Sequence, residues 1–352
     1  MTYTVTVEPT GEQIEVEEGQ TILQAALRQG VWLPFACGHG TCATCKITVL
    51  DGDVDVGEAS SFALMDSERD DGKVLACCAT VESDVTIEAD IDVDDDFEGL
   101  PVEDFTATVS KIVDLSPTIK GIHLSLDRAM SFQAGQYINL NVPGCDGARA
   151  FSIANPPSKG HEVELHVRHV IGGSATGYIH EQLKVGETLP LSGPYGQFFV
   201  RSSQPGNLIF IAGGSGLSSP QSMILDLLEK GDERQITLFQ GARNQEELYN
   251  ADLFTSLAEK HSNLSYIPAL NDAEDDADWK GFKGFVHQAA NTHFDNRFAN
   301  HKAYLCGPPP MIDAAITALM QGRLFEKDIF MEKFITAADG ADGQRSALFK
   351  KI

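Results

Sequence analysis

The sequence predicts a multidomain chain of three fold classes in succession: a small α+β unit, an antiparallel β-barrel or sandwich, and a doubly wound α/β sheet. Three observations carry this. The chain has 352 residues, more than one ordinary hydrophobic core accommodates. Its charge is uneven: residues 1–96 hold twenty-one Asp or Glu against Arg28, Lys46, Arg69 and Lys73, within a chain of net charge −25. The strand rhythm also changes twice, near Pro101 and again after Pro205.

Hydrophobic residues make up 42% and charged residues 22%, a globular balance that argues against a disordered chain. No apolar run reaches the roughly eighteen residues that a membrane helix needs. The start, Met1-Thr2-Tyr3-Thr4-Val5, lacks the basic and apolar stretches of a secretory signal. A negative surface repels nucleic acid and anionic lipid, so neither is expected as a partner. Seven cysteines, an odd number without a signal, point to a reducing, cytoplasmic compartment. The acidic first segment reads both as a solvated surface and as a face that docks on a basic patch of a partner.

The elements follow in order. Tyr3, Val5 and Val7 alternate, Gly11 turns the chain, and Ile14 and Val16 return, which is a hairpin. Thr21 opens an amphipathic stretch to Arg28, with Ile22, Ala25 and Ala26 on one face and Gly30 beyond it. Val85, Ile87 and Ala89 read as the last strand of this unit, and the acid-rich run at residues 90–96 as a linker. Short strands punctuated by Gly and Pro follow, at residues 106–109, 122–126, 137–142 and 163–170, as in an antiparallel barrel or sandwich. After Pro205, strand then helix repeats: strands at 208–211, 236–239, 264–267 and 303–306, helices at 220–230, 246–261 and 311–320. The domains are therefore expected at 1–95, 102–202 and 206–334, with residues 335–352 as a C-terminal extension.

Cys37, Cys42 and Cys45 form C-x4-C-x2-C; thirty-one residues then separate Cys45 from Cys77, which Cys78 follows. This is the plant-type spacing for a [2Fe–2S] cluster, three thiolates from one tight loop and a fourth from afar. Gly38, Gly40, Thr41, Ala43 and Thr44 are small enough to let the backbone approach the cluster. A four-cysteine zinc site is the competing reading, but such sites usually pair two C-x2-C knuckles and only one is present. If Cys77 and Cys78 lie in a strand, they point to opposite faces and only one of them ligates.

Arg149, Phe151 and Ser152, in Arg149-Ala150-Phe151-Ser152, suit a flavin as phosphate clamp, ring neighbour and hydroxyl near the reactive edge. Gly172-Gly173-Ser174-Ala175-Thr176 precedes a helical stretch at 177–183, whose free N–H groups suit a pyrophosphate. Gly213-Gly214-Ser215-Gly216 stands between an apolar strand and a helix, the context of a dinucleotide turn. Cys306 and Gly307 end another apolar strand, where a parallel sheet binds its ligands.

Taken in order, these motifs resemble a ferredoxin fused to a ferredoxin–NADP-reductase-type flavoprotein. The likeness covers essentially the whole chain and is nearest to the reductase components of bacterial multicomponent phenol hydroxylases, through Leu33-Pro34-Phe35-Ala36-Cys37-Gly38-His39-Gly40-Thr41-Cys42. Related reductases serve toluene and methane monooxygenases and benzoate dioxygenase. The resemblance implies a β-grasp [2Fe–2S] ferredoxin, an FAD-binding antiparallel barrel and an NAD-binding doubly wound domain. It implies Cys77 as fourth ligand through Val74-Leu75-Ala76-Cys77. Arg149 then holds the FAD pyrophosphate, Phe151 lies on the ring, Ser152 bonds near N5, Arg168 is a second phosphate contact, and Gly173 and Thr176 form the phosphate turn. Gly213 to Gly216 and Gly307 receive NADH, Cys306 sits beside the nicotinamide, and Glu332 and Phe334 lie near the flavin.

The implied activity is an electron relay from NADH through FAD and the cluster to an oxygenase component of a phenol (aromatic) hydroxylase. The alternatives are the reductase of a ring-hydroxylating dioxygenase, which the cofactor motifs do not distinguish, and a colourless zinc-bearing binding module. Two features depart from the family pattern: Pro220 follows the glycine turn one place late, and residues 335–352 run past the usual end. Arg243, after the second strand of the dinucleotide domain, is placed to meet a 2′-phosphate, so NADH rather than NADPH rests on the resemblance.

Overall fold

The structure is a computed structural model and describes residues 1–91, 94–272 and 278–334. The expected extension at 335–352 lies outside the described residues, as do Asp92 and Val93 of the acidic linker. Two units are distinguished by their contacts, one ending at Glu103 and one beginning at Asp104.

The first unit is built on a five-stranded mixed sheet in the order Glu12–Glu17, Thr2–Glu8, Val85–Glu88, Lys46–Asp51, Lys73–Leu75. The opening hairpin pairs antiparallel, and Thr2–Glu8 then pairs parallel with Val85–Glu88, so the first and last strands lie side by side at the centre. Alternation fixes which face is buried: Val5, Val7, Ile14 and Val16 are fully buried, while their neighbours face outward. The helix Ile22–Arg28 begins where the Thr21 side chain accepts the Gln24 N–H, and it buries Ile22, Leu23, Ala25 and Ala26. Burying each of the two larger side chains contributes roughly 1.5–3 kcal/mol. A helix laid across a mixed sheet whose terminal strands meet is the β-grasp arrangement.

The second unit contains two six-stranded sheets. The first is antiparallel, in the order Arg149–Ser152, Tyr137–Leu140, Thr188–Tyr195, Glu103–Ser116, Ile119–Leu126, Glu162–Arg168. Its two edge strands are joined by a bridge between Ile153 and Leu165 and by Ala154 N–H donating to Glu164 O at 2.8 Å.

The second sheet is parallel, in the order Phe282–Lys283, Leu264–Leu270, Ile236–Ala242, Asn207–Gly213, His301–Gly307, Ile329–Lys333. Its central strand, Asn207–Gly213, is buried at every position but the first, as a strand covered on both faces requires. The strand order reverses between Asn207–Gly213 and His301–Gly307, and the crevice at that reversal is where such sheets bind ligands.

Several boundaries differ from the sequence reading. The glycine turn continues as a 3-10 turn, Gly214–Leu217, so the next helix starts at Ser218 and Pro220 falls inside its first turn. That first turn tolerates proline, whose missing N–H would be unsatisfied there anyway. The helix expected at 177–183 is Ser174–Glu181. The helix expected at 246–261 is Ala251–Lys260, because Asn250 adopts a left-handed conformation and separates it from a 3-10 turn at Gln245–Glu247. Helices at Asp66–Asp70 and Val286–His293 had no expectation; the second has a polar sequence with only Val286, Ala289 and Ala290 buried.

Candidate functional site

In the first unit the cysteine loop is shaped by its backbone. Gly40 has φ +78°, and a Cβ there would lie 2.7 Å from Cys78 Sγ and 3.0 Å from Glu58 O, so only glycine fits. The turn directs N–H groups at sulfur. His39 and Thr41 N–H donate to Cys37 Sγ at 3.5 and 3.4 Å, and Cys37 N–H donates to Cys42 Sγ at 3.4 Å. Burial pushes the Cys37 thiol up, but the hydrogen bonds from Thr41, His39 and Cys42 outweigh it and lower it to about 6. Cys45 is buried beside Cys77; the Cys77 side chain and then burial push its thiol up, and the Cys77 backbone pulls it back in part.

The thiols thus stand as two pairs, Cys37 with Cys42 and Cys45 with Cys77. Among the described residues, no three His, Cys, Asp or Glu side chains gather as ligands of one metal ion would. Four thiols in two pairs, with N–H donors aimed at sulfur, fit a two-iron cluster in which each iron takes two cysteines. Cys77 and Cys78 do not lie in a strand. They occupy the turn after Lys73–Leu75, where Cys78 N–H donates to Leu75 O at 2.9 Å. Their sulfurs are 3.7 Å apart, so the argument from opposite faces does not apply; the contact with Cys45 singles out Cys77.

In the second unit, residues from both sheets converge on one carboxylate. Glu332 lies beside Cys306 in the register of adjacent parallel strands. Ser152, from the antiparallel sheet, donates to Glu332 Oε2 at 3.0 Å; Ser219, from the helix after the glycine turn, donates to the same oxygen at 3.0 Å. Cys306 Sγ is 3.7 Å from that oxygen and 4.0 Å from Ser219 Oγ. Burial pushes the Glu332 carboxyl up, and the bonds from Ser219, Ser152 and Cys306 pull it back in part. Burial and the Glu332 charge push the Cys306 thiol up, so it stays protonated. Tyr137 and Tyr195 stack beside this group, centroids 5.5 Å apart; burial and then the Glu332 charge push the Tyr137 phenol up.

The glycine turn rests on Cys306. A Cβ at Gly216 would lie 2.4 Å from Cys306 O and 2.6 Å from Gly307 Cα. Tyr249 is buried, donates to Gly214 O at 3.2 Å and meets His166 Nδ1 at 3.0 Å, while His166 Nε2 meets Glu164 Oε1 at 3.0 Å. A hydrogen-bonded chain therefore runs from the antiparallel strand Glu162–Arg168 to the turn. A cavity of about 550 Å³ opens along the carboxyl edge of the parallel sheet, lined by Arg168, Gly213, Gly214, Gly241, Arg243 and Pro308 among others. Cys306 and Glu332 are not among its lining residues.

The remaining expected residues are more scattered. Arg149 folds its guanidinium onto the carbonyls of Asp146, Gly147 and Ala148 at 2.8 to 3.1 Å. Phe151 packs against the core of the antiparallel sheet. Thr176 Oγ1 accepts from Val170 N–H at 3.1 Å beside Gly173, at a helix start without a side-chain cap. Phe334 N–H donates to Gly307 O at 3.0 Å. Ser219, Tyr137, Tyr249 and His166 were not foreseen as partners of the site. Ser219 had a sequence signal, a serine just after a dinucleotide turn, but its partner lies 113 residues away.

Comparison with known proteins assigns a family to each of the three segments. Residues 5–82 match the 2Fe-2S iron-sulfur cluster binding domain, 106–200 the oxidoreductase FAD-binding domain and 210–317 the oxidoreductase NAD-binding domain. The chain is 74% identical to the phenol 2-monooxygenase reductase component DmpP of Pseudomonas sp. (strain CF600) over 353 residues, covering all of both chains. It is 66% identical to the phenol hydroxylase P5 protein of Acinetobacter pittii (strain PHEA-2), again covering all of both. Among solved structures, the Amycolatopsis cytochrome P450 reductase GcoB is 34% identical with a TM-score of 0.83, covering 95% of this chain and 99% of that one. The chain belongs to the iron–sulfur flavoprotein family that supplies the reductase components of multicomponent phenol monooxygenases.

Proposed function

We propose that the chain oxidises NADH and passes the electrons through FAD and a [2Fe–2S] cluster to the oxygenase component of a phenol hydroxylase. One observation carries the reading within the molecule: a hydroxyl from the antiparallel sheet and a thiol and carboxylate from the parallel sheet meet at a single oxygen. When bound, FAD would supply two-electron chemistry with the nicotinamide and a [2Fe–2S] cluster would supply one-electron transfer. The protein's own residues bind, orient and exclude water.

In this reading Cys37, Cys42, Cys45 and Cys77 hold the cluster. Arg149, Phe151, Ser152, Arg168, Gly173, Thr176 and Phe334 hold the flavin, with Arg149 exchanging its three carbonyl acceptors for phosphate oxygens. Gly213 to Gly216, Cys306 and Gly307 receive the dinucleotide. Ser152 and Ser219 fix the Glu332 carboxylate, and Cys306, buried and protonated, keeps a neutral sulfur beside it. Gly216 lets the turn lie directly against the backbone of Cys306 and Gly307, where a side chain would not fit. The domain limits 1–95, 102–202 and 206–334 belong to the same reading; each family match falls within one of them. Among the described residues no helix is long and apolar enough to cross a membrane. Seven unpaired cysteines support a reducing cytoplasm as its location.

The test is a visible spectrum of the purified protein before and after NADH without oxygen, for the parent and for Cys45→Ser. The parent should show flavin and iron–sulfur bands that bleach. Cys45→Ser should keep flavin bleaching and lose cytochrome c reduction. A colourless, zinc-containing parent overturns the reading.

A further inference from the structure

One wall of the cavity along the parallel sheet carries an ion pair. Arg243 immediately follows the strand Ile236–Ala242, and Glu247 closes the 3-10 turn after it. Arg243 Nε donates to Glu247 Oε2 at 2.7 Å and its Nη2 donates to Glu247 Oε1, so two arms of the guanidinium fork are spent on one carboxylate. Glu247 is only 15% exposed, against 55% for Arg243. The backbone on both sides is fixed: Glu247 N–H donates to Asn244 Oδ1 at 3.1 Å, and Arg243 O accepts from Asp272 N–H at 2.9 Å. Both residues line the cavity, where Arg168 and His287 are its other basic side chains.

In a doubly wound dinucleotide domain, the region after the second strand meets the adenosine ribose. An acidic side chain there accepts the 2′-hydroxyl, and an arginine there receives a 2′-phosphate. This chain has both residue types, joined in one pair, so the outcome depends on which of them is engaged. A 2′-phosphate would have to displace a bidentate carboxylate and then sit beside its negative charge. A 2′-hydroxyl meets no such opposition and finds a carboxylate oxygen to donate to.

We propose that Glu247 is the specificity-determining residue for the dinucleotide, selecting NADH against NADPH by engaging Arg243 and holding a negative charge at the ribose 2′ position. This rests on the reading above that the cavity takes the adenosine end of the dinucleotide.

The experiment compares the parent, Glu247→Gln, Glu247→Ala and the double variant Arg243→Ala/Glu247→Gln, each with its flavin spectrum recorded as the folding control. Calorimetric titration with ADP and with 2′,5′-ADP reads binding without turnover, and kcat/KM is measured with NADH and NADPH. Both Glu247 variants should bind 2′,5′-ADP about tenfold or more tightly than the parent and gain a similar factor in kcat/KM for NADPH. Their ADP affinity should fall by about tenfold or less, as the loss of one hydroxyl acceptor requires, and the double variant should lose the gain in 2′,5′-ADP affinity. If 2′,5′-ADP affinity is unchanged in both variants while ADP still binds, Glu247 is not the determinant and the site reading stands. If ADP fails to bind the parent, the placement of the dinucleotide is wrong and the inference falls with it.

Discussion

The cysteine loop and the Glu332 cluster solve the same problem, holding reactive groups still, in opposite ways. The loop is local: three of its sulfurs lie within nine residues, and neighbouring N–H groups steady them. The Glu332 cluster is assembled from four segments far apart in sequence, carrying Ser152, Ser219, Cys306 and Glu332; strand pairing sets Cys306 beside Glu332, and side-chain hydrogen bonds bring in the two serines. Against burial, the Thr41 side chain first, and then the backbone N–H groups of His39 and Thr41, stabilise negative charge on sulfur and bring the Cys37 thiol down; burial pushes Cys306 and Glu332 up. In the loop the partly buried Cys37 is brought down while the buried Cys45 is pushed up, and in the other region burial keeps the Cys306 thiol neutral beside a carboxylate.

That contrast is broken most severely by Cys45→Ser. Loss of a proposed cluster ligand should cut cytochrome c reduction by about a hundredfold or more while NADH still bleaches the flavin in single-turnover measurements. Equal loss of both activities would mean that the two regions are not separable.

Glu332→Gln tests the second region. Flavin reduction by NADH should slow on the order of tenfold to a hundredfold, with cluster absorbance unchanged. Its effect on stability has a definite sign. Burial raises the folded-state pKa of Glu332, so its contribution to stability is greatest below the ordinary glutamate range and is lost as pH rises through the raised value. Thermal melts should therefore show Glu332→Gln gaining on the parent at pH 8 relative to pH 5. The same offset at both would show that Glu332 does not titrate in between.

Ser219→Ala removes one of the two hydroxyls on Glu332 Oε2. The carboxyl should move further up, shifting the carboxylate-dependent limb of the rate profile to higher pH and slowing flavin reduction severalfold at neutral pH. Ser219→Thr should restore the profile, which a merely structural role would not predict. The smallest effect is expected for Tyr249→Phe, which deletes the hydroxyl joining His166 to Gly214 O. A loss of about 1–2 kcal/mol in unfolding free energy, with the absorption spectrum unchanged, would fit its role as a tie between the two sheets.

Legibility in the sequence followed the same divide. The C-x4-C-x2-C loop, the apolar strand before Gly213 and the alternating hairpin at Tyr3 to Val16 are short-range patterns, and the structure has them where they were expected. Cys306 was visible because a strand end of a parallel sheet is a marked position. Glu332 and Phe334 came only through resemblance, since nothing near them advertises chemistry. Ser219, Tyr249 and His166 stayed hidden because each acts through a partner on another element, and tertiary pairing leaves no period to read. Helix starts at Ser174, Ser218 and Ala251 differed because local turns, a 3-10 segment at Gly214–Leu217 and a left-handed Asn250, decide where a helix begins.

The side-by-side register of Cys306 and Glu332 also sets where the chain tolerates changes in length. The stretch between Gln321 and Ile329 lies outside the two flanking regular elements, a helix and a strand, and an inserted residue there would be absorbed before the ladder begins. One residue added within Ile329–Lys333 would turn Glu332 to the other face of the sheet, away from Ser152 and Ser219. Deletions and insertions in this family should accumulate in the connection and spare the strand, which acts as a ruler five residues long.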